Sequence, residues 1–174
     1  MTDFLFTLLL SFDATLRVAT PLVFCAMAGL FSERSGVIDI SLEGKMLAAA
    51  FAAASMAAVS GSAWLALGTG IAVSVCLALL HGFACITHRG DQVVSGVAIN
   101  ILVSGLTVVL GIAWFARGGQ TPSVPNTARF TPITWPGAET LGEVPVIGAI
   151  YSELLSGHNL LVYVAFLMVP LTWW

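Results

Sequence analysis

Apolar residues fill long stretches of this chain, and the few charged residues cluster between them. Between Lys45 and Arg89 lie 43 residues without a formal charge. As one helix that run would extend roughly 64 Å at ~1.5 Å per residue. The hydrocarbon core of a bilayer is only ~30 Å thick. The run must therefore fold back, and Ser60-Gly61-Ser62 is the predicted turn, because small polar residues and glycine break a helix cheaply. The pattern predicts a span over residues 46–60, where alanine dominates, and another over 63–87 with Trp64 at an interfacial position. A polar turn, His88 to Gln92, precedes a further span over 93–116, closed by Trp114 and Phe115.

The flanking regions are less regular. Residues 4–31 form an apolar region interrupted by Asp13 and Arg17, which stand four apart in the acid-first order that favours a helical ion pair. Two placements fit. Either 4–31 spans and buries the pair, or 4–12 lies at the interface and the span starts near Ala14. Thr20-Pro21 falls inside the span, where proline removes one backbone bond. Residues 32–45 hold five of the 15 charges around Val37, Ile38 and Ile40, and read either as an ordinary loop or as a broken helix. Residues 117–157 carry five of the seven prolines and five charges, as a long non-membrane connecting segment. A connection of that length is expected to carry function or to dock on something. Residues 159–174 start a fifth span, slightly short, so the chain is expected to continue past Trp174.

Composition sharpens this picture. Only 9% of the residues are charged, against roughly 25% in an ordinary soluble domain. Such a chain cannot build a water-facing surface, and lipid is its main solvent. The net charge of −3, without any Lys/Arg cluster, argues against a nucleic-acid partner. Cys25, Cys76 and Cys85 sit in apolar stretches and read as packing residues rather than a disulfide framework. The N-terminus has no basic residue before its apolar run and does not read as a removable signal peptide. Arg34, Lys45 and Arg89 in the connections 32–45 and 88–92 favour placing those connections inside and the N-terminus outside.

The candidate chemistry is polar rather than reactive. Gly96, Asn100, Ser104, Thr107 and Gly111 follow one another at helical spacing and share one face. An asparagine amide at membrane depth needs partners. The stripe serves either interhelical hydrogen bonding or the wall of a polar solute path. His81, Cys85 and His88 share a face of the preceding span but lack a fourth group, and a packing face is the expected reading. No metal site is expected. Gly44-Lys45 is not a phosphate loop, since Gly36 stands too far upstream and Met46 replaces the required Ser/Thr. Beyond Ser95-Gly96 with a sequence-distant His81, no reactive group is visible, and no catalytic residue is assigned.

Two stretches are distinctive: Thr20-Pro21 through Gly29-Leu-Phe-Ser-Glu-Arg-Ser-Gly-Val-Ile-Asp-Ile-Ser-Leu-Glu-Gly44, and Asp91-Gln-Val-Val-Ser-Gly-Val-Ala-Ile-Asn100. They resemble the permease subunits of bacterial ABC importers in the branched-chain amino acid/ribose permease superfamily, within it the simple-sugar and nucleoside branch. Pro132-Ile and Pro145-Val-Ile-Gly148 also resemble that branch. Asp39, Ser41 and Lys45 depart from its usual residues. The resemblance covers nearly the whole chain, as the first part of a typical member. It implies two permease subunits forming the path, a cytoplasmic ATPase that binds the ATP, and an external solute-binding protein. The ATPase-docking loop of the family is expected beyond the fifth span.

The expectations are therefore these. The fold is all-α, a polytopic transmembrane bundle of about five spans in a single permease domain over 1–174, with a broken helix or loop near 32–45. The protein is a multi-pass permease subunit of the bacterial plasma (inner) membrane, serving an ATP-driven importer of nucleosides or simple sugars. It has no enzymatic activity and no cofactor of its own. Asn100, Ser104 and Thr107 line the path; Asp39, Glu43 and Gly44 form a gating or structural break. The rival readings are a structural or assembly protein of the membrane and an ATP-independent channel.

Overall fold

The computed structural model describes residues 2–118, 120–133 and 156–173, with side chains from Thr7 onward. Among these residues the regular secondary structure is all helical, apart from one isolated bridge. The helices are α1 (Thr2–Arg34), α2 (Leu42–Ser60), α3 (Ala63–Gly82), α4 (Gln92–Phe115) and α5 (Leu160–Trp173). A π-helical turn, Phe83–Thr87, extends α3, and a 3-10 turn, Asn126–Ala128, follows α4. Four segments are long and apolar enough to cross a membrane: Thr7–Arg34, Leu42–Ser60, Ala63–Thr87 and Gln92–Phe115. Helix α5 is apolar but shorter.

The predicted breaks fall where the residues require them. Helix α2 ends at Ser60, and Gly61 takes the left-handed conformation (φ 66°) that glycine tolerates, while its N–H caps the Ala57 carbonyl. Helix α4 starts at Asp91, whose carboxylate accepts from Val93 N and Val94 N at 2.8 and 3.0 Å. Near 32–45 the non-helical stretch is only residues 35–41, because α1 runs on through Arg34 and α2 resumes at Leu42. The break thus connects two span-length helices rather than interrupting one. Residues Thr2–Arg34 form one uninterrupted helix that includes the Asp13–Arg17 pair.

The chain forms two compact units. In the unit Ala28–Arg129, α2 and α3 pack as a hairpin and α4 lies against both. Small residues let these backbones approach. Ala48, Ile99 and Val103 form one buried cluster; Ala57, Ala66 and Ala128 form another. Through Ala128 and Val124, the first part of the long connecting segment docks on the turn end of the α2–α3 hairpin. Residues 119 and 134–155, the rest of that segment, lie outside the described residues.

In the unit formed by 1–27 and 130–174, α1 and α5 run in the same direction. Asp13 meets His158 at the start of α5 (Oδ1–Nδ1 3.4 Å), and Thr172 near its end donates to the Met27 sulfur at 3.4 Å. Asp13 also pairs with Arg17 at 3.1 Å. An antiparallel bridge joins Ile133 and His158.

The α2–α3 contact depends on Gly70, where a Cβ would lie 3.2 Å from the Ala49 carbonyl oxygen and 3.3 Å from the Ala53 Cβ. Gly68, on the same helix, has nothing within 4 Å of such a Cβ. We expect Gly70→Leu to destabilise the unit by about 1–3 kcal/mol through overpacking. Gly68→Leu should change stability by less than about 0.5 kcal/mol. Thermal unfolding of both variants in mild detergent checks this, and equal melting temperatures would contradict it.

Candidate functional site

The connection 35–41 has left the helical hydrogen-bond ladder, so its N–H and C=O groups need partners elsewhere. A buried backbone group left unmet is costly. Its own flanks supply some of them. Val37 N donates to the Ser32 carbonyl at 3.1 Å, and the Ser32 hydroxyl returns to the Val37 carbonyl at 2.7 Å. Others are met by side chains of α3 and α4, more than forty residues away in sequence.

Gln92, in the first turn of α4, accepts from Ile38 N at 2.7 Å. One turn further, Gly96 lets α4 lie against the connection, since a Cβ there would stand 3.1 Å from the Ile40 Cβ and 3.2 Å from Ser41 N. Asn100 uses both ends of its amide. Oδ1 accepts from Gly44 N at 2.8 Å, and Nδ2 donates to the Ile40 carbonyl at 3.0 Å. One residue thereby ties the connection to the first turn of α2. Gly44 is required at this contact, because a Cβ would lie 2.7 Å from Asn100 Oδ1 and 3.0 Å from Asn100 Cα.

His81, near the end of α3, is 2% exposed. Its Nε2 lies 3.3 Å from the Ile38 carbonyl and its Nδ1 lies 3.1 Å from the Ser95 hydroxyl. A carbonyl can only accept, so Nε2 carries a hydrogen. Ser95 and His81 are the residue types of a nucleophile and its base, but the imidazole is enclosed and both of its nitrogens are engaged. The pair holds the connection. Cys85 packs 3.7 Å from the same ring. His88 does not join them: the π-helical turn shifts the helical phase, and His88 packs edge-on against Phe83 at 4.6 Å.

Beneath the connection Asp39 and Lys45 form a buried ion pair, with side chains 9% and 6% exposed. The Asp39 carboxylate also accepts from Ser41 N at 3.0 Å and from the Ser41 hydroxyl, and Ser41 is fully buried. Burial by itself raises the Asp39 carboxyl. The hydrogen bonds from Lys45 and Ser41, the Lys45 charge and the nearby His81 together outweigh it and hold the group below its ordinary value of 3.8.

The residues singled out from sequence therefore separate into groups. Asp39, Gly44 and Asn100 meet at the connection. Glu43 is exposed in the first turn of α2, where its charge suits the positive end of the helix. Ser104 and Thr107 bond back to carbonyls of their own helix, Ser104 to Ile101 at 2.9 Å and Thr107 to Val103 at 3.0 Å. His81, Ser95 and Gln92 belong to the site but were not marked for it by sequence, because their partners are backbone groups of a distant segment.

Comparison with known proteins agrees with this architecture. Residues 11–174 match the family described as the permease component of branched-chain amino acid transport systems. A guanosine ABC transporter permease of Bacillus subtilis is 40% identical over 79% of this chain and 43% of its own length. A Haloferax volcanii protein, provisionally named a glucose ABC transporter permease, is 33% identical over 92% of this chain and 46% of its own. A nucleoside ABC transporter permease of Lactococcus lactis is 30% identical over 76% of this chain and 42% of its own. The chain thus spans less than half the length of these curated relatives. No solved structure matches it significantly.

Two outcomes follow from the geometry. Asn100→Leu strips partners from Gly44 N and the Ile40 carbonyl, and should cost about 2–6 kcal/mol at ~1–3 kcal/mol per orphaned group. Ser104→Ala and Thr107→Val should each cost less than about 0.5 kcal/mol. Thermal unfolding in detergent orders the three, and a harmless Asn100→Leu would refute the tie. Asp39→Asn leaves the Lys45 ammonium buried without its counter-charge, at about 3–5 kcal/mol near neutral pH. Because the folded value of Asp39 is lowered, its contribution is whole above pH 3.8 and fades as pH falls through the lowered value. The wild type should lose this stability on the acid side, whereas Asp39→Asn should lack that part of the slope.

Proposed function

Because this chain belongs to the family of permease components of branched-chain amino acid transport systems, we propose that it works as a transmembrane permease subunit of an ATP-driven importer for nucleosides or simple sugars. It is a multi-pass protein of the plasma (inner) membrane. A second permease subunit completes the path, a cytoplasmic ATPase binds the ATP, and an external solute-binding protein delivers the solute. The chain itself carries no cofactor in this reading.

The observation that carries the proposal is the cancellation of buried charge in the unit Ala28–Arg129. Asp39 and Lys45 neutralise each other, and the other groups at the connection are amides, hydroxyls and an imidazole. A unit whose buried charges cancel suits an uncharged solute, whose hydroxyls and ring edges need hydrogen bonds rather than counter-charges. Guanosine, nucleosides and glucose, named for the three relatives, are all uncharged. Asn100, Ser104 and Thr107 would present the polar side of the path. Asp39 and Gly44 would act as a stiff joint between spans, with Glu43 at its exposed edge. Placing this joint on the cytoplasmic side agrees with Arg34, Lys45 and Arg89 lying near it.

The test is uptake of radiolabelled guanosine and glucose by cells expressing the native transporter with its partner subunits. Uptake that depends on ATP and on an ATPase co-purifying with the permease supports the importer. Uptake that persists without ATP would establish a channel instead, and no uptake of either solute would leave a structural role. Glu43→Gln should lower uptake severalfold; normal uptake would remove Glu43 from the mechanism.

A further inference from the structure

His81 of α3 and Ser95 of α4 meet at the end of the two helices where the connection 35–41 packs, with Nδ1 3.1 Å from Oγ. We propose that this contact is a latch, closed in the present conformation and opened when α3 and α4 part at that end during solute transport. The inference rests on the importer reading and adds a moving part to it.

Ser95 departs from the habit of other hydroxyls in these helices. Thr20, Ser60, Thr69 and Thr107 each donate to the carbonyl four residues back on their own helix. The corresponding carbonyl for Ser95 is that of Asp91, which already receives the Ser95 N–H at 3.0 Å. The Ser95 hydroxyl reaches across to the imidazole instead. Nε2 of His81 carries a hydrogen for the Ile38 carbonyl, so in the neutral ring Nδ1 accepts and the hydroxyl donates.

Both partners have a second choice within their own helix. Rotation of its side chain returns the Ser95 hydroxyl to the Asp91 carbonyl, the back-bonded position that serine takes in a helix. His81 Nδ1 has the Cys85 thiol, a weak donor, 3.7 Å away and one turn along. Opening the contact therefore strands no polar group. It gives up one neutral hydrogen bond, whose net contribution is small. The Asn100 tie is of another kind, because parting it would orphan Gly44 N and the Ile40 carbonyl together.

The surroundings fit an end that moves. Just beyond His81, α3 leaves the α-helical ladder for the π-helical turn Phe83–Thr87, a feature frequent at functional sites. Further along the helices, Val73 and Leu77 of α3 pack against the cluster that holds Ile99 and Val103 of α4. Apolar contacts have no direction to preserve, so this part serves as the pivot.

The test uses the full native transporter with its partner subunits in proteoliposomes, and uptake of radiolabelled guanosine or glucose. Ser95→Cys sets a thiol beside His81 and Cys85, where cadmium ion would join α3 to α4 through thiolate and imidazole ligands. Cadmium should lower ATP-driven uptake by Ser95→Cys about tenfold or more, as expected for soft ligands that hold the latch shut. A chelator should restore uptake, and the wild type should be unaffected. Ser95→Ala removes the bond while leaving the half-buried position almost filled. It should raise ATP hydrolysis in the absence of solute about threefold, through a lower barrier to opening. Cadmium bound by Ser95→Cys, seen by its thiolate absorbance, with uptake unchanged would make the contact a fixed brace and overturn the latch. A wild-type hydrolysis rate in Ser95→Ala would overturn it as well. Failure of Ser95→Cys to bind cadmium more tightly than the wild type would overturn the juxtaposition of the two side chains. Absence of ATP-dependent uptake of either solute by the wild type would remove the importer reading, and the latch with it.

Discussion

Backbone that leaves a helix must find new partners for its N–H and C=O groups, and at residues 35–41 the unit Ala28–Arg129 supplies many of them from side chains of distant helices. Ser32 serves Val37, Gln92 and His81 serve Ile38, and Asn100 serves Ile40 and Gly44. The long-range partners come from α3 and α4, so the connection cannot adopt its path unless those two helices are already packed together. The same dependence runs in the other direction. Gly96 and Gly44 are small because the connection and α4 touch through their backbones, and a side chain at either point would push the amide of Asn100 out of reach.

The spans were legible because hydropathy and charge act over long windows. The fold-back at Ser60-Gly61-Ser62, the polar turn before α4 and the apolar start of α5 all follow from which residues lipid accepts. The site was only half legible. The spacing of Gly96 and Asn100 puts them on one face, and the structure uses that face. Spacing does not say what the face meets. Below Asn100 the stripe meets the connection; above it, Ser104 and Thr107 satisfy themselves on their own helix. A periodic pattern cannot distinguish these cases, since both hydroxyls and amides are polar at the same period.

His81 was hidden for a different reason. Its partner is a backbone carbonyl 43 residues earlier, and a carbonyl has no identity in sequence. The grouping of His81, Cys85 and His88 also assumed a regular helix. The π-helical turn Phe83–Thr87 inserts extra length just there and carries His88 off the shared face. The pairing of Asp39 with Lys45 is invisible to helical spacing as well, because the two residues lie six apart across the point where α2 begins. Such pairs become readable only when the start of the helix is known to a residue.

The buried ion pair raises the question of why a charge is placed in an apolar protein at all. Removing two charges from water costs several kcal/mol each, so a pair of this kind adds little net stability over well-packed apolar residues. Its effect is on register. One oxygen of Asp39 takes the Ser41 N–H and hydroxyl, and the other takes Lys45, so the carboxylate fixes both the turn at Ser41 and the first turn of α2. A shift of one residue along this path would put an isoleucine, Ile38 or Ile40, in the place of Asp39 and would leave the Lys45 ammonium without its counter-charge. The large penalty for that arrangement is what makes the present one unique. The pair thus acts less as a source of stability than as a rule about where α2 may start. Asn100, whose two bonds require Ile40 and Gly44 to be in place together, reads that same rule from the opposite side.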